Sequence, residues 1–117
     1  MRSFILAAAL IGVAAPAHAA GFHEGTYAVD GTNFDGSPYR GTAQVTLLSN
    51  TTCQIVWNTG SESTGLCMLM DDVVAAGYVM SDTVGLIMYK VQADGSLEGY
   101  WTIGGKDGSG TERLTPQ

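Results

Sequence analysis

The stretch Thr52-Cys53-Gln54-Ile55-Val56-Trp57-Asn58-Thr59-Gly60-Ser61-Glu62-Ser63-Thr64-Gly65-Leu66-Cys67-Met68-Leu69-Met70 decides the fold. Its first six residues are β-branched, aromatic and alternating, as a strand prefers. Asn58 to Ser61 carries turn chemistry, and Thr64 to Met70 resumes an extended run. A hairpin centred on Gly60 pairs Cys53 with Cys67, Ile55 with Gly65 and Trp57 with Ser63. Directly opposed cysteines on neighbouring strands are close enough to bridge. They are the only two cysteines in the chain, so the spacing predicts a Cys53–Cys67 disulfide. The closed loop is short, and the bond should stabilise the domain by about 3 kcal/mol at most on chain-entropy grounds. No Cys-x-x-Cys motif and no adjacent base favours a redox or metal role for the pair.

Working outward from this hairpin, the chain breaks into similar short runs. Strands are predicted near Gly25–Asp30, Arg40–Leu48, Thr52–Asn58, Thr64–Met70, Val73–Val79, Val84–Gln92, Ser96–Ile103 and Gly110–Thr115. Asp35-Gly36-Ser37, Asp94-Gly95-Ser96 and Asp107-Gly108-Ser109 punctuate them as turns. No segment offers a capped apolar stripe of helical period. The fold class is therefore all-β: an eight-stranded antiparallel up-and-down meander closing into a small barrel, which removes sticky edges. A two-sheet sandwich is the alternative. Alternation places Cys53, Ile55 and Trp57, then Ile87, Tyr89 and Val91, then Leu97, Gly99, Trp101 and Ile103, on the core face. Gly65, Gly77, Gly85 and Gly99 lie within runs and permit the bends of a tightly curled sheet. The Tyr27-Ala28-Val29 and Asp35-Gly36-Ser37 stretch is echoed by Tyr89-Lys90-Val91 and Asp94-Gly95-Ser96, as in a reused hairpin.

The N-terminus reads as a signal peptide over residues 1–19. Arg2 precedes an apolar run from Phe4 to Ala15, and Ala17-His18-Ala19 supplies small residues at the cleavage site. The run is too short to span a bilayer, which takes about 20 apolar residues, and Pro16 interrupts it. No cysteine stands at the cleavage point, so no lipid anchor is expected. The expected mature protein is one domain over residues 20–117, exported to a periplasm or secreted. A domain this small buries only about 60–65% of its unfolded surface, so a covalent staple is useful.

Charge narrows the partners. The whole chain has a formal charge of −6; without the leader, Arg40, Lys90, Lys106 and Arg113 face eleven acidic residues, giving −7. Nucleic acid and anionic membranes both require a basic footprint, so neither is an expected partner. Only His23 remains outside the leader, close to a terminus where order is poor. With the thiols paired and no Gly-x-Ser-x-Gly elbow, no nucleophilic triad can be assembled. Asp71-Asp72 is a carboxylate pair better read as a turn. Asp30, Asn33 and Asp35 offer oxygen ligands for calcium, but the same letters form Asx turns. The Gly104–Gly110 run lacks phosphate-loop spacing and a following helix. No metal site, cofactor or catalytic residue is expected.

The main anomaly is an apolar surplus. Leu66, Met68, Met70, Tyr78, Met80, Leu86 and Met88 fall on the face opposite the core set. Methionine adapts to varied partners, and contiguous apolar surface marks a partner or ligand site. A second core layer, as in a sandwich, accounts for the same residues. The functional expectation is a surface for an unknown protein, a second copy or a small apolar ligand.

Several motifs carry a family resemblance: Gly25-Thr26-Tyr27 with Gly31-Thr32-Asn33, Asp35-Gly36-Ser37 with Tyr39 and Gly41, Ile55 with Trp57, Ala76-Gly77-Tyr78, Gly85-Leu86 with Tyr89, Asp94-Gly95 with Leu97, Gly99 and Trp101-Thr102, and Gly110-Thr111-Glu112 with Leu114-Thr115-Pro116. At these positions the chain resembles a family of small exported bacterial β proteins, over most of the expected mature length. Some members carry the label fibronectin-binding protein, which brings no set of functional residues with it. Three functions follow in order: a non-enzymatic binding or structural module, an adhesin-like contact with host matrix protein, and a small hydrolase or lyase.

Overall fold

A computed structural model describes residues 21–117, so the leader expected at 1–19 lies outside the described residues. Eight strands follow in order: β1 (Gly25–Thr32), β2 (Pro38–Leu47), β3 (Thr52–Asn58), β4 (Glu62–Met70), β5 (Val73–Met80), β6 (Thr83–Val91), β7 (Leu97–Ile103) and β8 (Gly110–Pro116). Each pairs antiparallel with its sequence neighbour, and β8 returns to β1 to close the barrel. The sandwich alternative is thereby set aside. Among the described residues no edge strand is left, because the barrel is closed.

The β3–β4 register is the one the turn at Gly60 dictates: Cys53 faces Cys67, Ile55 faces Gly65 and Trp57 faces Ser63. The two cysteines form a disulfide with a Cα–Cα distance of 4.9 Å. Such a bond is at home in an oxidising compartment.

Turn chemistry repeats as the sequence echo implies. Asp35 accepts from the backbone N–H of Ser37 at 2.9 Å and from its hydroxyl at 2.7 Å. Asp94 does the same for Ser96 at 3.0 and 2.6 Å. Both motifs place a glycine at φ 87°, Gly36 and Gly95, where a Cβ would be strained. The carboxylate of Asp35 is thus engaged in holding a turn, while Asp30 pairs with Arg40 at 3.0 Å. Among the described residues, no group of three or more His, Cys, Asp or Glu side chains is placed to hold a metal ion. Asp71 and Asp72 form the β4–β5 turn, with Asp71 at φ 53° and Asp72 paired with Lys90 at 3.6 Å.

The interior is filled at one end and open at the other. Tyr27, Val29, Val45, Ile55, Val74, Leu97 and Leu114 are among its buried side chains. The segment before β1 closes the filled end. Phe22 is buried there, beside Gly21, which approaches Val91 and Gln92. The Tyr27 hydroxyl donates to the His23 carbonyl at 2.5 Å. The expectation of poor order around His23 is therefore corrected: burial of Phe22 anchors this segment.

Near the other end, the four hairpins β1–β2, β3–β4, β5–β6 and β7–β8 each carry one aromatic over one glycine. Tyr39 covers Gly31, Trp57 covers Gly65, Tyr78 covers Gly85 and Trp101 covers Gly110; a Cβ on any of these glycines would overlap the ring above it. The missing side chain lets each ring lie against the wall instead of projecting across the lumen. Gly85→Ala is accordingly expected to push the Tyr78 ring inward and destabilise the barrel by about 1–3 kcal/mol. In a Tyr78→Ala background the same substitution should cost much less, which urea denaturation of the four-protein cycle would measure. Equal costs in both backgrounds would show that the ring does not define the space above Gly85.

Candidate functional site

The open end contains a cavity of about 480 Å³. Tyr39, Trp57, Tyr78, Trp101 and Ile87 wall it, with Asn33, Ser63, Glu62 and Met80 toward the rim. Trp57 and Tyr78 stack at a tilt with centroids 5.2 Å apart. Trp101 meets Phe34 at 4.9 Å and the edge of Tyr39 at 6.3 Å. Two groups of rings therefore face the same space.

Glu112 lies in the wall of this cavity and is only 6% exposed. It stands on β8 between Gly110 and Leu114, both inward-facing and buried. Three neutral donors reach it from three other strands. Tyr39 on β2 donates to Oε1 at 2.6 Å. Trp57 Nε1 on β3 donates to Oε2 at 2.9 Å, and Tyr89 on β6 donates to the same oxygen. Trp57 Nε1 also lies 3.1 Å from the Tyr89 hydroxyl. A buried carboxylate is costly unless hydrogen-bonded, and this network supplies the bonds.

Burial raises the Glu112 pKa above its ordinary value of 4.5, and the three donated hydrogen bonds oppose the rise. Burial and the neighbouring carboxylate push Tyr78 up to about 12 and raise Tyr39 and Tyr89 as well, so the phenols stay neutral donors. The sign for stability follows from linkage. A folded-state pKa raised above the unfolded one means that the native protein holds the proton more tightly. That contribution is complete below the unfolded pKa and is lost as pH rises through the folded one. Glu112→Gln is expected to remove this loss, flattening the stability profile above pH 4.5, the ordinary glutamate value. Urea midpoints measured across the acid-to-neutral range check it; parallel profiles for the two proteins would mean that Glu112 titrates as an ordinary glutamate.

The residues singled out by sequence separate into two groups. Leu66, Met68, Met70, Leu86 and Met88 do share the outer surface, with exposures of 58% to 66%. They are not a second core layer. Tyr100 and Val84 extend the stripe, and a groove of about 470 Å³ runs past Ala75, Gly77, Leu86, Met88 and Tyr100. Tyr78 is a correction. It faces inward, over Gly85 and against Trp57. Met80 follows it to the cavity rim. The reason is the two-residue turn at Asp71-Asp72: Met70 pairs with Val73, so the alternation changes phase between β4 and β5.

Glu112 and Tyr39 are the cavity residues the sequence reading missed. The available signal for Glu112 was its alternation with Leu114, a charged side chain on the core face of a strand. For Tyr39 it was the aromatic–glycine pairing across a hairpin, Gly31 facing Tyr39.

Fold and cavity together define an eight-stranded closed β-barrel with an aromatic mouth and a buried carboxylate in its wall. No protein-family model and no curated protein matches the chain. Among solved structures it is similar to a redesigned β-barrel, with a TM-score of 0.67 and 19% identity, covering 80% of this chain and 90% of that one. It is also similar to a de novo designed fluorescence-activating β-barrel, with a TM-score of 0.67 and 20% identity, covering 84% and 96%. At such identities the likeness shows the fold.

Proposed function

We propose that this domain is an exported, non-enzymatic binding module that holds a small, largely apolar organic molecule in the barrel mouth. The observation that carries the reading is the 480 Å³ cavity walled by Tyr39, Trp57, Tyr78 and Trp101. Its size falls in the ordinary range of ligand pockets, about 300–1,000 Å³, and its wall combines apolar rings with a few fixed polar groups. Glu112, held by three donors, acts here as an orienting acceptor. The chain contains two tryptophans, and both line the cavity; Trp101 also borders the outer groove, so Trp57 is the fluorophore that reports on the lumen alone. Titration of the oxidised protein with 2-phenylethanol and with 2-phenylethylammonium should give a saturable change with at least one of them. A flat response to both contradicts the reading.

The outer stripe favours a second reading, association with a second copy of this chain. Leu66, Met68, Met70, Val79, Val84, Leu86, Met88 and Tyr100 are all well exposed. Their strands pair side by side, so they form one continuous apolar face, and a contiguous exposed apolar face marks an association site. Light scattering should find a dimer that the double substitution Met68→Lys, Met88→Lys converts to a folded monomer. A wild-type monomer at every concentration, or a dimer indifferent to the substitutions, contradicts it.

A further inference from the structure

We propose that the mouth selects an organic cation, an amine or quaternary ammonium group on a compact apolar body, with Glu112 as its counter-ion. The inference rests on the lumen-binding reading and adds the ligand's chemical class.

Three observations converge on it. The first is the isolation of the Glu112 charge. Its contacts are neutral phenol and indole donors, while the ion pairs among the described residues lie on the outer surface, at Arg40, Lys90 and Arg113. Buried charges are ordinarily paired, and the partner missing here is a cation.

The second is the sign of the cavity wall. Among the described residues no lysine, arginine or histidine lines it, and its formally charged side chains are Glu112 and, at the rim, Glu62. An anionic ligand would meet two carboxylates and no cation. A cationic ligand would meet attraction at the entrance and a counter-charge inside.

The third is the combination of ring faces with free acceptor capacity. Aromatic faces carry negative quadrupole potential and hold cations within about 6 Å of the ring centre, more strongly when desolvated. Trp57, Tyr78, Tyr39 and Trp101 supply such rings around one space. Oε2 of Glu112 accepts from Trp57 and Tyr89, whereas Oε1 accepts from Tyr39 alone among the described residues. A carboxylate oxygen has two lone pairs, so Oε1 retains one for an ammonium N–H or for a close electrostatic contact.

Calorimetric titration at neutral pH with 2-phenylethylammonium and 2-phenylethanol, which share a carbon skeleton, tests the inference on the native protein. The ammonium compound should bind at least about tenfold more tightly than the alcohol, from ring and carboxylate together. Glu112→Gln should bring the two affinities together mainly by weakening the ammonium compound. Because the wild-type comparison stands alone, poor folding of that variant leaves the test intact. Saturable binding of both compounds with equal affinity overturns cation selection and leaves the lumen-binding reading standing. No binding of either compound overturns both. Tighter binding of the ammonium compound that Glu112→Gln leaves unchanged removes Glu112 as the counter-ion and overturns the proposal.

Discussion

Replacing Trp57 with alanine is expected to destabilise the barrel by about 3–5 kcal/mol, the range for removing a large buried aromatic. Trp57 is buried, covers Gly65 on β4 and packs against Tyr78. Gly65 has no side chain to fill the space left behind, so the site cannot collapse easily. The indole N–H also leaves the Glu112 carboxylate one donor short, and an under-bonded buried acceptor adds its own penalty. Denaturant unfolding should show a lower midpoint with an unchanged slope, the signature of lost stability in a single cooperative unit. Trp57→Phe keeps an aromatic ring at this position but drops the indole donor and the Cζ3–Cη2 edge that covers Gly65. Its cost should be a minor share of the alanine cost. A loss under about 1 kcal/mol for the alanine variant would mean that the wall of the mouth does not support the fold.

The second large effect is removal of the disulfide. Cys53 and Cys67 are 14 residues apart, and a closed loop of about this length stabilises by about 3 kcal/mol when the unfolded chain is constrained by it. The double substitution Cys53→Ala, Cys67→Ala should therefore lower the urea midpoint strongly, and reduction of the wild-type protein should reproduce most of the loss. The bond lies toward the filled end, beside the β2–β3 turn, away from the aromatic mouth. Fluorescence changes on ligand addition should survive its removal wherever the protein is folded. A variant as stable as the parent would show that the Gly60 turn and the β3–β4 ladder already define this hairpin without the covalent tie.

These two effects fall on the part of the molecule most legible in the sequence. The turn at Gly60 sets the pairing of seven residues of β3 with β4, and regular turn punctuation predicts eight strands, all of which form. Alternation within a strand likewise places Ile55, Tyr89 and Leu97 inside. Alternation does not carry phase from one strand to the next. The two-residue turns at Asp71-Asp72 and Ser81-Asp82 each shift it, since Met70 pairs with Val73 and Met80 with Thr83. Tyr78 thus moves from the outer surface to the lumen, and with it one wall of the cavity.

Glu112 illustrates a harder limit. Alternation with Leu114 puts it on the core face of β8, but nothing local shows what would satisfy a carboxylate there. Its burial depends on Tyr39, Trp57 and Tyr89, which lie between 23 and 73 residues away and converge only when the barrel closes. The four aromatic–glycine pairs are intermediate. Each is confined to one hairpin, yet the pattern becomes visible only once all four registers are known. The outer stripe, by contrast, was visible as unexplained methionine and leucine, and the closed barrel leaves it exposed.

Ligand binding in the aromatic mouth is tested most sharply by a ¹H–¹⁵N and methyl correlation titration with 2-phenylethylammonium. Saturable shifts of both indole N–H resonances, Trp57 and Trp101, are expected, with the Met68 and Met88 methyl signals unmoved. Shifts confined to those methionines, with both indoles silent, would place binding on the outer stripe and contradict binding in the mouth.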